Sequence, residues 1–370
     1  MLRFGSVSID PPVVLAPMAG VTNMAFRQMC RKYGGGLFVS EMIAASGIVN
    51  RDAKTIKMLA FGESETVRSV QLYGVDPVNV GLATKVLVDE YGVDHIDMNF
   101  GCPAAKVTRK GGGAALPVRH RLFREIVRSA VGAAGDAPVT VKMRIGVDAA
   151  HTTVFTCGQI AQDEGVSAVA LHARTAEQLY SGHADWTYIA RLKNLLTAIP
   201  VLGNGDIWEA PDAVRMVAET GCDGVVVGRG CLGRPWLFAD LENALAGLPV
   251  GPPPVLGTVV AAMKDHVRLL CDFHGGEFGV RDFRKHVSWY LTGYPIGGER
   301  RRTLALVSTL DELDGLLDDL DPQLTIEPNA YRATRGHTSG PRPVHLPQGW
   351  YASADELTPI EGADEAVSGG

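Results

Sequence analysis

Three observations predict an α/β fold, a closed (β/α)8 TIM barrel followed by a small all-helical domain. Eight short β-branched or apolar runs recur between Pro12 and Val227, as expected of parallel strands buried on both faces. Stretches of helical composition with one polar face separate them, so the repeating unit is βα. After the stiff segment Leu248-Pro249-Val250-Gly251-Pro252-Pro253-Pro254 the strands stop and helical periodicity continues alone.

In order, the strands are expected at Pro12–Ala16, Leu37–Ser40, Ser69–Leu72, His95–Asn99, Val139–Met143, Ala168–His172, Val201–Gly203 and Gly224–Val227. The clearest intervening helices are Val78–Glu90, Arg121–Gly132, Val154–Glu164, Tyr188–Leu196 and Ala210–Glu219. A doubly wound sheet would require a glycine-rich fingerprint after its first strand, and Ala16-Pro17-Met18-Ala19-Gly20 is not one. The barrel should therefore occupy residues 1–248. A helical domain should follow over 255–320, built from Val255–Phe273, Val280–Thr292 and Thr303–Leu317. Residues 321–370, rich in Pro, Gly, Ser and acids, are expected to form a flexible tail.

Composition narrows the class. Hydrophobic residues make up 46% of the 370, enough for a large core. No apolar run has the length of a membrane span, and Met1-Leu2-Arg3-Phe4-Gly5 lacks the apolar core of a secretory signal, so a cytoplasmic protein is expected. The six cysteines form no Cys-x-x-Cys pair, which argues against a disulfide framework, a zinc ribbon or an iron–sulfur cluster. Net charge is −6, yet twelve acids stand against three arginines from Thr303 onward. The residues before that point are net basic, and overall acidity does not exclude an anionic polymer as ligand.

Barrel active sites lie at the carboxyl ends of the strands, and six consecutive strands here end in chemistry-bearing residues. Gln71 ends the third; Asn99 and Cys102 follow the fourth; Lys142 and Arg144 end the fifth; His172 and Arg174 the sixth; Asn204 and Asp206 the seventh; Gly228-Arg229-Gly230 the eighth. A single lysine or histidine in an apolar run is usually a snorkelling or core residue, but six such strand ends in succession are not explained that way. Glycines in Gly203-Asn204-Gly205-Asp206 and Gly228-Arg229-Gly230 would let backbone amides approach a phosphate after strands seven and eight. An amide and a thiol held between Gly101 and Pro103 suit recognition and protonation of a heterocycle.

Together with Ala16–Asn23, Ser40-Glu41-Met42, Gln71–Gly74, Asp97–Pro103, Lys110–Leu116, Val141–Arg144 and His172–Thr175, these motifs resemble the bacterial tRNA-dihydrouridine synthases, most closely the B-type branch. The resemblance spans about residues 10 to 320 and leaves the tail without a counterpart. It implies an FMN-dependent enzyme that reduces the C5=C6 bond of a tRNA uridine with NADPH as electron donor. By motif, Ala16, Pro17, Met18 and Gln71 would contact the flavin, Lys142 and His172 its isoalloxazine, and Asn204, Gly205, Asp206, Gly228 and Arg229 the ribityl phosphate. Cys102 corresponds to the proton donor for C5. Asn99 would orient the base, with Lys106, Arg109 and Arg174 as further substrate contacts. In the helical domain Arg281, Arg284 and Lys285, and a second cluster at Arg300-Arg301-Arg302, would meet the tRNA backbone.

Two other functions compete with this one. A flavin barrel acting on a free pyrimidine, of the dihydroorotate dehydrogenase kind, has a similar Asn-to-Pro segment, but with serine where Gly101 stands, and it does not need a helical carboxy-terminal domain. A tRNA-binding folding factor with a lapsed flavin site would have no physical need for Cys102, Lys142 and His172 together.

Overall fold

The computed structural model describes residues 1–336, 340–360 and 363. Ten strands are present among them: β1 (Leu2–Phe4), β2 (Val7–Ile9), β3 (Val13–Leu15), β4 (Leu37–Ala44), β5 (Ser69–Tyr73), β6 (His95–Phe100), β7 (Val139–Arg144), β8 (Ala168–His172), β9 (Val201–Asn204) and β10 (Gly224–Val227). Strands β3 to β10 close a barrel in sequential order, β10 pairing with both β9 and β3. Each barrel pair is parallel, and helices cover the outside, which is why the strands read as continuous apolar runs. The helices Pro77–Tyr91, His120–Ala133, Val154–Asp163, Thr187–Leu195 and Ala210–Thr220 lie within two residues of the expected bounds.

The hairpin of β1 and β2 was not anticipated. Its alternation Leu2-Arg3-Phe4 and Val7-Ser8-Ile9 around a Gly5-Ser6 turn was the available signal. Strands of three residues carry little weight alone, and this pair gains its stability by burying Leu2, Phe4, Val7 and Ile9 against the inward side chains Val14, Leu37, Ala168, Leu202 and Val226. The hairpin thereby plugs the amino-terminal mouth of the barrel and leaves the carboxyl rim as the open end.

Helices Leu256–His274, Gly276–Tyr290, Gly298–Leu304 and Leu310–Asp318 form the carboxy-terminal bundle. Its core, with Leu256, Val259, Met263, Val280, Phe283 and Val287, is continuous with Ala25 and Met29 of the first barrel helix, Met24–Arg31. The helix expected over Thr303–Leu317 is two helices. Thr309 caps the second by accepting from the Glu312 N–H, and the Arg284 guanidinium binds the carbonyls of Leu306 and Val307 and the Ser308 hydroxyl, so backbone groups that would have continued the helix are satisfied otherwise.

The described part of the tail differs from the flexible segment expected. Arg335 and Trp350 are buried at 2% exposure each, Arg332 pairs with Glu209 and Asp212, and Trp350 joins Ala115, Val118 and Val147 in a small core. A Pro/Gly-rich composition removes regular secondary structure, but it does not stop isolated aromatic and arginine side chains from finding partners. Residues 337–339, 361–362 and 364–370 lie outside the described residues. All six cysteines are free. Among the described residues no group of three or more His, Cys, Asp or Glu could hold a metal ion, and no helix is long and apolar enough to cross a membrane.

Candidate active site

Side chains alternate along a strand, so residues two apart share a face. On that basis His95, Asp97 and Asn99 of β6 and Thr140, Lys142 and Arg144 of β7 point into the barrel together. The register sets Gln71 beside Asp97, Asn99 beside Lys142, and Arg144 beside His172, with His172 beside Asn204. A line of hydrogen bonds runs up these layers. Thr140 Oγ1 donates to Asp97 Oδ1 at 2.7 Å and therefore accepts from His95 Nε2 at 3.0 Å. That leaves His95 Nδ1 to accept from Ser69 Oγ at 2.7 Å. Gln71 Nε2 donates to Asp97 Oδ2 at 2.7 Å, and Gln71 Oε1 accepts from Asn99 Nδ2 at 2.8 Å. Asn99 Oδ1 in turn accepts the backbone N–H groups of Gly101 and Cys102 at 3.1 and 2.9 Å. Asn99 thus holds the cysteine loop through its amide oxygen.

Cys102 faces a cleft of about 460 Å³ whose walls include Met18, Asn99, Lys106, Tyr180, Trp289 and Gly336. Burial pushes the thiol's pKa up, outweighing the Ala104 N–H and the Arg144, Lys106 and Lys142 charges that pull it down. The group is therefore a neutral thiol at pH 7. Arg144 fixes the loop from below, donating from Nε to the Gly101 carbonyl at 3.0 Å and from Nη1 to those of Thr175 and Leu179. Lys142 Nζ donates to Asn204 Oδ1 at 3.0 Å; burial, reinforced by Arg144, lowers it to about 8. His172 is pushed well below its ordinary value by burial and by the Arg144, Lys142, Arg174 and Arg229 charges around it, so it stands neutral.

A second, narrower recess adjoins the cleft between β9 and β10, lined by Met18, Lys142, Arg174, Gly205, Gly228 and Arg229. Gly205 has φ +127°, and a Cβ there would stand 2.6 Å from that of Ala184, so only glycine lets the chain turn here. Arg174, expected at the substrate, is instead sunk into this recess at 1% exposure. Its Nη2 pairs with both Asp206 oxygens at 2.7 and 2.9 Å, while its buried Nη1 has no hydrogen-bond partner among the described residues. Asp206 also differs from expectation. Its carboxylate holds Arg174 and the Ala184 N–H and lies 4.0 Å from Arg229, so it orders the arginines rather than meeting an anion itself. An unpartnered buried guanidinium N–H beside glycine turns suits a phosphate oxygen as acceptor.

The remaining expected residues are spread more widely. Ala16, Pro17, Met18 and Gln71 border the same cleft or recess. Lys106 is at the cleft, whereas Arg109 is exposed outside its lining. Arg281, Arg284 and Lys285 lie on the bundle helix Gly276–Tyr290, away from the cleft lining. Arg281 faces Glu277, Lys285 pairs with Asp282 at 2.6 Å, and Arg284 is taken up by the loop carbonyls. Arg301 likewise binds the carbonyls of Leu291 and Tyr294. Residues missed in sequence are Asp97 and Thr140, legible from the period-two spacing to Asn99 and Lys142, and Tyr180, whose ring lies under Arg229 and Arg144 and which no local pattern announces.

Fold and cleft together define a (β/α)8-barrel enzyme with its chemistry at the carboxyl rim. A family model described as "Dihydrouridine synthase (Dus)" matches residues 14–325, and the chain belongs to that family. It is 53% identical over 378 residues to the probable tRNA-dihydrouridine synthase of Mycobacterium tuberculosis (strain ATCC 25618 / H37Rv), covering 100% of this chain and 97% of the relative. Against tRNA-dihydrouridine synthase B of Xanthomonas axonopodis pv. citri (strain 306) it is 38% identical, with 88% of this chain and 99% of the relative covered. Among solved structures, histamine dehydrogenase from Rhizobium sp. 4-9 superposes with a TM-score of 0.51 at 12% identity. That match covers 87% of this chain, which spans less than two thirds (64%) of the dehydrogenase, and it concerns the fold alone.

Proposed function

We propose that this enzyme reduces the C5=C6 bond of a uridine in tRNA, using FMN as bound cofactor and NADPH as reductant, with Cys102 as proton donor. The observation that carries the proposal is the neutral thiol of Cys102 in the open cleft, on the same rim as the Arg174 recess, in a chain of the dihydrouridine synthase family. The donor set fits the cofactor: Arg174 Nη1 and Arg229, with the backbone at Gly205 and Gly228, would hold its phosphate, and Lys142 would set a positive charge against its ring. When bound, FMN supplies the hydride that C6 of the uracil receives.

Cys102 gives its proton to C5, and its raised pKa keeps that proton in place until C5 becomes basic enough to take it. The thiolate left behind regains a proton from water in the open cleft. Asn99 fixes the thiol through the two N–H groups it accepts, and Arg144 fixes the Gly101 carbonyl on the other side. The target base must leave its stack to reach this floor.

The purified protein, denatured and analysed by chromatography, should release FMN. With NADPH and unmodified tRNA it should form dihydrouridine, detected by mass spectrometry of nucleosides. Cys102→Ala should keep its FMN and its NADPH oxidation while product formation falls about 100-fold or more, the usual contribution of a positioned acid. Wild-type product yield in that variant removes Cys102 from the mechanism, and failure to bind FMN removes the cofactor.

A further inference from the structure

Trp350 lies beyond residue 325, where the match to the family model ends, yet it is almost fully buried against the barrel. Its Nε1 donates to the Ala115 carbonyl at 2.8 Å, and the Arg119 guanidinium sits 3.8 Å above its ring centroid. The ring presses on Gly111 so closely that a Cβ there would stand 2.4 Å from it. Arg119 is tied in turn to the same carboxy-terminal segment, through Glu356 at 2.7 Å and the Thr358 carbonyl at 2.9 Å.

The opposite side of this glycine shelf touches the proposed acid. The Ala114 N–H donates to the Cys102 carbonyl at 3.0 Å. Gly113, at φ +54°, leaves no room for a side chain: a Cβ would meet the Cys102 carbonyl oxygen at 2.4 Å and the Cys102 Cβ at 3.1 Å. Gly112 N–H closes the loop on the Val107 carbonyl at 3.1 Å. One short shelf, 111–115, is therefore gripped by Trp350 outside and carries Cys102 inside. A shelf of three glycines and two alanines has little side-chain packing of its own, so its position depends on what is pressed against it.

We propose that Trp350 is a positioning residue for Cys102, holding the thiol at the cleft floor through the Gly111–Ala115 shelf. The inference rests on the reading of Cys102 as proton donor. Carboxy-terminal residues outside the barrel thereby set the geometry of the chemical step without touching substrate.

The test compares full-length wild type, Trp350→Ala, Trp350→Phe and Cys102→Ala. Three quantities are measured: single-turnover dihydrouridine formation from the reduced enzyme, flavin reduction by NADPH, and alkylation of Cys102 by iodoacetamide. The last is read by peptide mass spectrometry, with the half-exposed Cys271 as internal reference. Trp350→Ala should slow product formation about tenfold or more, as small misplacements of a reacting group do. Flavin content and flavin reduction should stay at wild-type levels, while Cys102 alkylation accelerates about threefold relative to Cys271 as the loop opens. Trp350→Phe keeps an aromatic ring beside Arg119 but loses both the Nε1 donor and the outer indole edge that presses on Gly111, so its product formation should fall between wild type and the alanine variant; it also carries the test if the alanine variant does not fold. Wild-type alkylation and turnover in both variants, with Cys102→Ala inactive, overturns the proposal and leaves the proton-donor reading standing. Parallel loss of flavin content and flavin reduction marks a merely structural residue and also overturns it. Full product formation in Cys102→Ala overturns the proton-donor reading instead, a result that accelerated alkylation in Trp350→Ala does not mask.

Discussion

Asp97 stands one pleat below Asn99 on β6 and sets the polarity of everything above it. As a carboxylate it only accepts, so Thr140 and Gln71 must both donate to it, Gln71 must present its oxygen to Asn99, and Asn99 must present its own oxygen to the Cys102 loop. Asp97→Asn breaks this order at constant size: its new NH2 faces either the Gln71 amide or the Thr140 hydroxyl, and turning Gln71 round to accept it would set two NH2 groups against each other at Asn99. The variant should lose about 1–3 kcal/mol of stability, the cost of an unsatisfied buried donor, and form dihydrouridine about tenfold more slowly because the thiol is displaced. Denaturant melts and single-turnover assays check this; a variant with wild-type values in both would show that the relay is incidental. Much of this site was legible before the structure, because Cys102, Lys142 and His172 fall at strand ends where a two-residue period declares which way they point. The pairing of Arg174 with Asp206 was not legible. Sequence marks a charged pair at the rim but not that the two bind each other, and only their pairing distinguishes an anion recess from a substrate wall.

At the scale of elements, the bundle helix Gly276–Tyr290 carries three cations that a helical pattern treats alike, and their surroundings separate them. Arg284 binds two carbonyls and a hydroxyl of the turn 306–308, whereas Arg281 is exposed and meets Glu277 one helical turn away, at 3.4 Å. Arg284→Ala should therefore cost about 1–2 kcal/mol of stability, and any loss of tRNA binding it shows should disappear once the folded fraction is corrected for. Arg281→Ala should leave stability within about 0.5 kcal/mol, as exposed pairs do. If Arg281 meets a phosphate, the same variant should flatten the plot of log K against log salt by roughly one unit. Equilibrium binding at several salt concentrations, with a denaturant melt for each variant, distinguishes the roles; an unchanged slope would place the electrostatic contact elsewhere, such as the exposed Arg300 and Arg302. The barrel strands and helices were readable because their periodicity is local. The split after Leu304 was not, since it depends on a cation 22 residues earlier in the chain, and the carboxy-terminal strap was not, since its hold on the barrel comes from single side chains rather than from a pattern.

At the scale of the whole molecule, the barrel and the bundle meet across an aromatic seam that holds buried imidazoles. Phe26 of the first barrel helix packs on His266 and His286, and His286 lies edge-on to Trp289, with neither ring nitrogen hydrogen-bonded among the described residues. Burial lowers His266 to about 3 and His286 well below its ordinary value, with Lys285 the nearby charge that pushes both in the same direction. His95 inside the barrel is likewise held at about 3. Because these pKa values are depressed on folding, the unfolded chain binds more protons below about pH 6.5, and the stability associated with the neutral rings is lost as pH falls from there toward 3. Asp97 acts the other way: raised to about 6 by burial, it keeps a proton that the unfolded chain releases above about pH 4, so its contribution declines between pH 4 and 6. With His120, His172 and His274 also lowered, the depressed histidines outnumber the raised carboxyls Glu41, Asp97 and Asp240, and the melting temperature should hold near neutrality and fall between pH 6.5 and 4. His286→Phe isolates the seam, since phenylalanine suits a slot between Phe26, Phe283 and Trp289 and has nothing to protonate. Its stability at pH 7 should match or exceed wild type, because no unpaired ring nitrogen is buried, and its loss on going to pH 5 should be smaller. Denaturant melts of both proteins at the two pH values decide the matter. An identical drop in wild type and variant would mean that acid opens the molecule somewhere other than between barrel and bundle.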